Sequence, residues 1–156
     1  MTYRKILVPV DGSTTANMGL REGIRLAKEQ GAAIQLVHVV DQHYVVNSGM
    51  EAGMFADNLF DSLREAGRDI VRKAEALVKK AGLTVKSVVV ETLTGPAADA
   101  IVREAKRSKA DVIVIGTHGR RGVRRLLMGS DAEQVVRLSP VPVLLVRGKE
   151  AASKKK

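Results

Sequence analysis

The 156-residue sequence predicts one α/β domain, a five-stranded, mostly parallel sheet with helices on both faces. Two observations predict it. Short apolar runs of strand length alternate with segments of helical period, and that alternation implies crossover connections and parallel strands. The runs are apolar residue after residue, as strands covered on both faces are. A third observation sets the extent: neither an internal repeat nor a domain boundary appears before the C-terminal tail, so residues 1–148 form the domain and 149–156 a basic appendage.

The elements follow in order. "KILVPV" (5–10) is a buried strand closed by the turn signal Asp11-Gly12-Ser13. Ser13 or Thr14 can cap the next helix, because a hydroxyl accepts from the free N–H groups of a first turn. Ala16, Leu20, Ile24 and Ala27 give that helix an apolar face, and Gly31 fits its stop. "AIQLVHVV" (33–40) is the second strand. Residues 41 to about 58 read as a long loop with at most one helical turn. Leu59, Leu63, Ala66, Ile70, Ala74, Leu77 and Ala81 then keep a helical rhythm up to Gly82. "TVKSVVVETL" (84–93) is the third strand. Gly95-Pro96 opens a further helix, Pro96 suiting the first helical position and Ala97, Ile101 and Ala105 facing inward. "DVIVIG" (111–116), a helix from about Ser130 to Leu138, the stop at Pro140 and "VPVLLVR" (141–147) complete the pattern.

Composition narrows the function classes. No cysteine is present, which removes disulfides, thiolate catalysis and cysteine-based zinc sites. The N-terminus runs into a strand without a signal-like apolar stretch, and no later run spans a bilayer, so a soluble cytoplasmic protein is expected. The net charge of +9 raises nucleic-acid binding, but its distribution weakens that reading. Arg120, Arg121, Arg124 and Arg125, with Lys154, Lys155 and Lys156, account for all but +2 of it. The basicity therefore sits in one loop and one tail, and the tail "KEAASKKK" reads as solvated and disordered.

The loop is "GTHGRRGVRRLLMGSD" (116–131), with spaced glycines and no lysine. In doubly wound sheets, ligands bind beyond strand C-termini where the winding reverses. If the loops after "VPVDGS" and "VIGTHG" are neighbours, Asp11 and Gly116 line one crevice. N–H groups at Gly116 and Gly119 suit an anion, and Gly129-Ser130 places a helix N-terminus and a hydroxyl beside it. Thr117 and Arg120 add donors. The same residues also serve as ordinary turn formers and an N-cap, so spacing alone leaves phosphate binding and a purely structural loop open.

Gly116, Gly119, Gly129 and Ser130 in "GTHGRRGVRRLLMGS" match the G-2x-G-9x-G-[ST] motif of the universal stress protein family, which the chain resembles over nearly its whole length. "KILVPVDGS", "LVHVVD", "ADVIVIGTHGRRG" and "SPVPVLLVR" resemble that family's first, second and last two strands. The resemblance implies a strand order of 3-2-1-4-5 and an ATP-binding stress-response module, with AMP, ADP or cyclic AMP as alternatives. It places adenine on the main chain of Val39 and the base and ribose against Pro9, Val10 and Asp11. Ile115, Gly116, Thr117, His118, Gly119, Arg120, Gly129, Ser130 and Asp131 would surround the ribose and phosphates. Asp11 would also hold a magnesium ion carried by the nucleotide. Asp131 stands where the family often has an uncharged residue. Turned inward, its carboxylate would repel phosphate; turned outward, it complements the helix dipole, and the outward placement is expected.

The remaining histidines carry no site. His38 lies mid-strand and reads as a packed residue, and His43 falls in a polar loop. The arginine cluster lacks the interleaved aromatics of a base-stacking surface, so nucleic-acid binding through 120–125 is the weaker alternative. Another alternative is a slow ATPase or self-phosphorylating enzyme. It lacks a GxxxxGK[ST] segment, HRD and DFG motifs, and a base aimed at a γ-phosphate. A homodimer paired through strand 141–146 is expected, because "VPVLLV" would form an apolar sheet edge without lysine or glutamate.

Overall fold

The computed structural model describes residues 2–42, 54–117 and 128–148. Among them the chain forms β1 (Lys5–Pro9), α1 (Thr14–Gln30), β2 (Ala33–Asp41), α2 (Met54–Lys80), β3 (Val85–Thr92), α3 (Ala97–Ser108), β4 (Val112–Gly116), α4 (Ser130–Leu138) and β5 (Val143–Val146). The strands make one parallel sheet in the order β3-β2-β1-β4-β5, as the resemblance implied.

Strand periodicity divides the core. Ile6 and Val8 of β1 point to the face that α1 and α2 cover, beside Leu20, Ala27, Leu36, Val71, Val78 and Val114. Leu7 points to the opposite face with Val37, Ile101, Ile113, Ile115 and Val135, under α3 and α4. Both sides of β1 are thus dry, which accounts for its unbroken apolar run. The sheet's lower end is tied by Asp111, whose Oδ2 accepts the N–H groups of Arg4 and Lys5 at 2.8 Å each.

Four local details differ from the sequence reading. Helix α2 begins at Met54, inside the stretch expected as loop. Its buried face is Ala56, Gly67, Val71, Ala74 and Val78, while Leu77 is 48% exposed and Ala66 faces solvent. Closest approach to the sheet sets that phase, not side-chain size: a Cβ on Gly67 would fall 2.7 Å from His38 Cδ2. Pro96 is the N-cap of α3, with extended backbone, and Ala97 is its first residue. Strand β5 begins only at Val143, because Ser139 turns the chain: its Oγ donates to the Val141 carbonyl and accepts the Val141 N–H. Pro142 lacks an N–H and contributes only its carbonyl, which accepts from Ile113. No helix among the described residues is long and apolar enough to cross a membrane.

Candidate functional site

A crevice opens where β1 and β4 part. Their pairing covers only Ile6↔Val112 and Leu7↔Ile113. Odd-numbered residues of β1 turn their main-chain groups toward β4, as the Lys5 carbonyl does in accepting the Asp111 N–H. Pro9 continues that series and has no N–H to give, so the ladder ends and the strands diverge.

The β1 wall is fixed by its own main chain. Val10 N–H donates to the Val37 carbonyl (2.9 Å), and the Val10 carbonyl accepts from His38 Nδ1 (2.8 Å). The Val10 side chain is buried in the core and its N–H and carbonyl are both engaged, so Val10 shapes the wall rather than offering hydrogen bonds. Asp11 Oδ1 accepts the Ser13 N–H (2.8 Å), Gly12 takes a left-handed φ of 80°, and Ser13 Oγ accepts the Ala16 N–H. The loop therefore delivers the N-terminus of α1 to the crevice with Ser13 as its cap.

The β4 wall is built by close packing. A Cβ on Gly116 would lie 2.7 Å from the Thr15 carbonyl oxygen, and a Cβ on Gly19 would lie 3.1 Å from Gly116 N. Gly116 thus lets the first turns of α1 rest directly on the end of β4. The Ile115 side chain is buried in the core. Thr117, also buried, donates its N–H to the Val146 carbonyl (3.0 Å) and accepts the Gly129 N–H on its carbonyl (2.6 Å). That last bond closes the two ends of the glycine motif onto each other. Gly129 is the N-cap of α4 and supplies no capping side chain to its first turn, where Ser130 and Asp131 are both exposed. The helix N-terminus carries an affinity for anions.

Val39 completes the floor. In β2, odd residues face β1: Ala33 donates to the Arg4 carbonyl, and Val37 accepts from Val10. The Val39 N–H and carbonyl therefore point to the same side, past the last pair of the β1 ladder, Pro9↔Val37. The fold brings Pro9, Val10, Asp11, Ile115, Gly116 and Thr117 to one end of the sheet, with Gly129 tied to Thr117. His118, Gly119, Arg120, Arg121, Arg124, Arg125 and His43 lie outside the described residues. Among the described residues no three His, Asp or Glu side chains gather to hold a metal. A cation at Asp11 would need most of its ligands from elsewhere, which is how magnesium held by nucleotide phosphates and water is bound.

The sequence reading did not assign two parts of this arrangement. His38, taken only as a packed residue, is packed and also holds the first loop through Val10. The Thr15–Gly116–Gly19 contact was foreshadowed by Gly19 and Gly23 one helical turn apart, since a Cβ on Gly23 would meet Val8 Cγ2 at 2.8 Å.

The universal stress protein family matches residues 2–147. Universal stress protein MJ0531 of Methanocaldococcus jannaschii is 34% identical over 145 residues, 93% of this chain and 82% of that protein. The solved structure of MJ0577, from the same organism, superposes with a TM-score of 0.82 at 28% identity, covering 96% of this chain and 99% of that one. A universal stress protein of Archaeoglobus fulgidus, solved in complex with dAMP, shares the fold with a TM-score of 0.67 at 24% identity, over 94% and 99% of the two chains. With sheet order, glycine motif and full-length similarity in agreement, the chain belongs to the universal stress protein family.

Proposed function

We propose that this protein is an ATP-binding stress-response module whose nucleotide occupancy sets its dimer or partner surface, with residues 1–148 as the nucleotide-binding unit. One observation carries the reading. At the sheet's reversal point, the main-chain edge of Val39 runs past the end of the β1 ladder, and the N-terminus of α4, to which Gly129 gives no side-chain cap, is tied to Thr117 at the end of β4. A peptide edge of that kind pairs with the hydrogen-bonding edge of adenine, and an uncapped helix start attracts phosphate. The A. fulgidus protein crystallised with dAMP supports an adenine nucleotide as the ligand class. Because Gly129 N–H is held by Thr117, phosphate is bound by the following first-turn N–H groups and the Ser130 hydroxyl. Asp11 holds the accompanying magnesium, which neutralises phosphate charge when bound.

Titration with labelled ATP, ADP, AMP and cyclic AMP tests the reading. ATP is expected to bind wild type, and a folded Gly129→Trp variant is expected to lose that binding, because the indole occupies the approach to α4. Equal ATP affinity in the two proteins would sink the assignment.

A further inference from the structure

The second open edge of the sheet is chemically unlike β5. Main-chain groups of even-numbered β3 residues face β2: the Thr84 and Thr92 carbonyls accept from Ile34 and Gln42. The groups of Ser87, Val89 and Glu91 therefore face outward, and no strand among the described residues pairs with them. Beside this edge, on the α3 side of the sheet, lies a groove of about 460 Å³. Val88, Val90 and Ala100 form its apolar floor, and Arg103, Lys106 and Arg107 its rim. Glu104 is only 3% exposed; it accepts from Gln35 at 3.3 Å and from both Arg107 Nε and Nη2 at 2.8 Å. It fixes Arg107 over the groove and leaves Arg103 and Lys106 without a carboxylate partner among the described residues.

We propose that this edge and groove bind an extended acidic segment of a partner protein, added as a sixth strand beside β3. Three features select that occupant. Outward N–H and carbonyl groups at alternate residues are what an added strand pairs with. The partner's side chains on the α3 face would alternate with those on the other, so apolar residues on that face reach Val88 and Val90. Carboxylates flanking them meet the cationic rim. A second copy fits worse, because a two-fold pairing of β3 edges would put two sets of Arg103, Lys106 and Arg107 side by side. A fatty carboxylate could use the groove and the cations but would leave the main-chain edge unpaired. The site is separate from the β1–β4 crevice and holds whether or not nucleotide binds there.

The probe is a fluorescein-labelled ten-residue peptide with glutamate, valine, valine, glutamate and glutamate at its odd positions and threonine at its even ones, so that valines and carboxylates share one face of a strand; binding is followed by fluorescence anisotropy. Wild type is expected to bind it saturably, and Arg103→Glu with Lys106→Glu to weaken binding roughly tenfold or more. Both rim residues are exposed, so an unchanged melting temperature shows that the double variant is folded. A control peptide with proline at alternate positions is expected not to bind, and the Val89 amide to gain hydrogen-exchange protection only with the strand-forming peptide. The proposal is overturned by no binding to wild type, by equal binding of the proline peptide, or by indifference to charge reversal. Displacement by decanoate with no protection at Val89 would overturn it too, assigning the groove to a small amphiphile.

Discussion

Gly116→Ala separates two reasons for a glycine at the start of the motif: close approach of a ligand, and close approach of α1. The added Cβ would stand 2.7 Å from the Thr15 carbonyl oxygen and 2.9 Å from both its carbonyl carbon and Cγ2. Two of those three atoms are main chain, inside the first turn of a capped helix, and cannot rotate away. Helix α1 cannot readily slide along the sheet, because Gly19 and Gly23 are themselves in close contact with Gly116 and Val8. Gly116 has no positive φ, so the cost is steric alone. Overpacking of this kind costs about 1–3 kcal/mol, and a main-chain clash belongs near about 3 kcal/mol. In a domain of this size, about 3 kcal/mol lowers Tm by about 6–12 °C. Gly129→Ala is the control: with φ −58° and ψ 151°, its backbone is open to any residue. Glycine is preferred to alanine at an N-cap, so a loss of about 1 kcal/mol or less is expected, well short of that for Gly116→Ala. Circular-dichroism melts of the three proteins without nucleotide decide the matter. A Gly116→Ala protein melting within about 2 °C of wild type would mean less than about 1 kcal/mol and refute the packing account.

ATP turnover is expected to be far below the roughly 10 per second of an ordinary enzyme, since the sequence offers neither a P-loop lysine nor a base; a coupled phosphate-release assay reaching that rate, and losing it in Gly129 variants, would make the protein an ATPase. Val143→Lys with Leu145→Lys is expected to abolish self-association through the β5 edge; light scattering checks it, and a wild type that stays monomeric at high micromolar concentration counts against edge pairing. Arg64 pairs with Glu91 and, chiefly by that hydrogen bond, holds the Glu91 carboxyl below its ordinary range. A depressed pKa contributes stability above the ordinary carboxylate range and loses it as pH falls through the folded-state value. Both groups are about one-third exposed, so solvent screens the pair and Arg64→Met should lower stability only slightly at neutral pH. That deficit should shrink in urea melts near about pH 3, and an equal deficit at both pH values would exclude the linkage.

The parallel sheet was legible in the sequence because the strands carry runs of successive apolar residues and the helices carry stops or starts of known geometry: Ser13 as a cap, Gly31 left-handed at the end of α1. The phase of α2 was not. Leucines at 59, 63 and 77 suggested one face, but burial is decided by where two backbones come nearest, and Gly67 marks that place by having no side chain. A hydrophobic count gives glycine little weight. The crevice was half legible: Asp11, Gly116 and Gly129-Ser130 stand out as punctuation after strands. The hydrogen bonds that assemble it were not, because they use main-chain atoms of Val10, Val37 and Thr117, and the identity of a side chain carries little information about them.

Thr117 is where these parts meet. Its N–H holds the last residue of β5, and its carbonyl holds the N-cap of α4 at 2.6 Å. Edge strand and helix start are thus joined through one residue. An arriving phosphate can either break the Gly129–Thr117 bond to take the Gly129 N–H, or leave it and use the following N–H groups. Breaking it would leave the Thr117 carbonyl without that partner in a buried position, at a cost of about 1–3 kcal/mol. In the proposed binding mode the phosphate takes the following N–H groups of α4, to which Gly129 offers no capping side chain, and the Gly129–Thr117 bond would survive binding. On the proposed function, occupancy would act by steadying α4, and through Thr117 the end of β5, rather than by rearranging them. A ligand shifts an equilibrium only by its differential affinity for two states. If two copies pair through β5, the gain would come from ordering that edge before it pairs. Such a coupling would be reciprocal: pairing of two copies would raise nucleotide affinity by the same factor that nucleotide raises pairing.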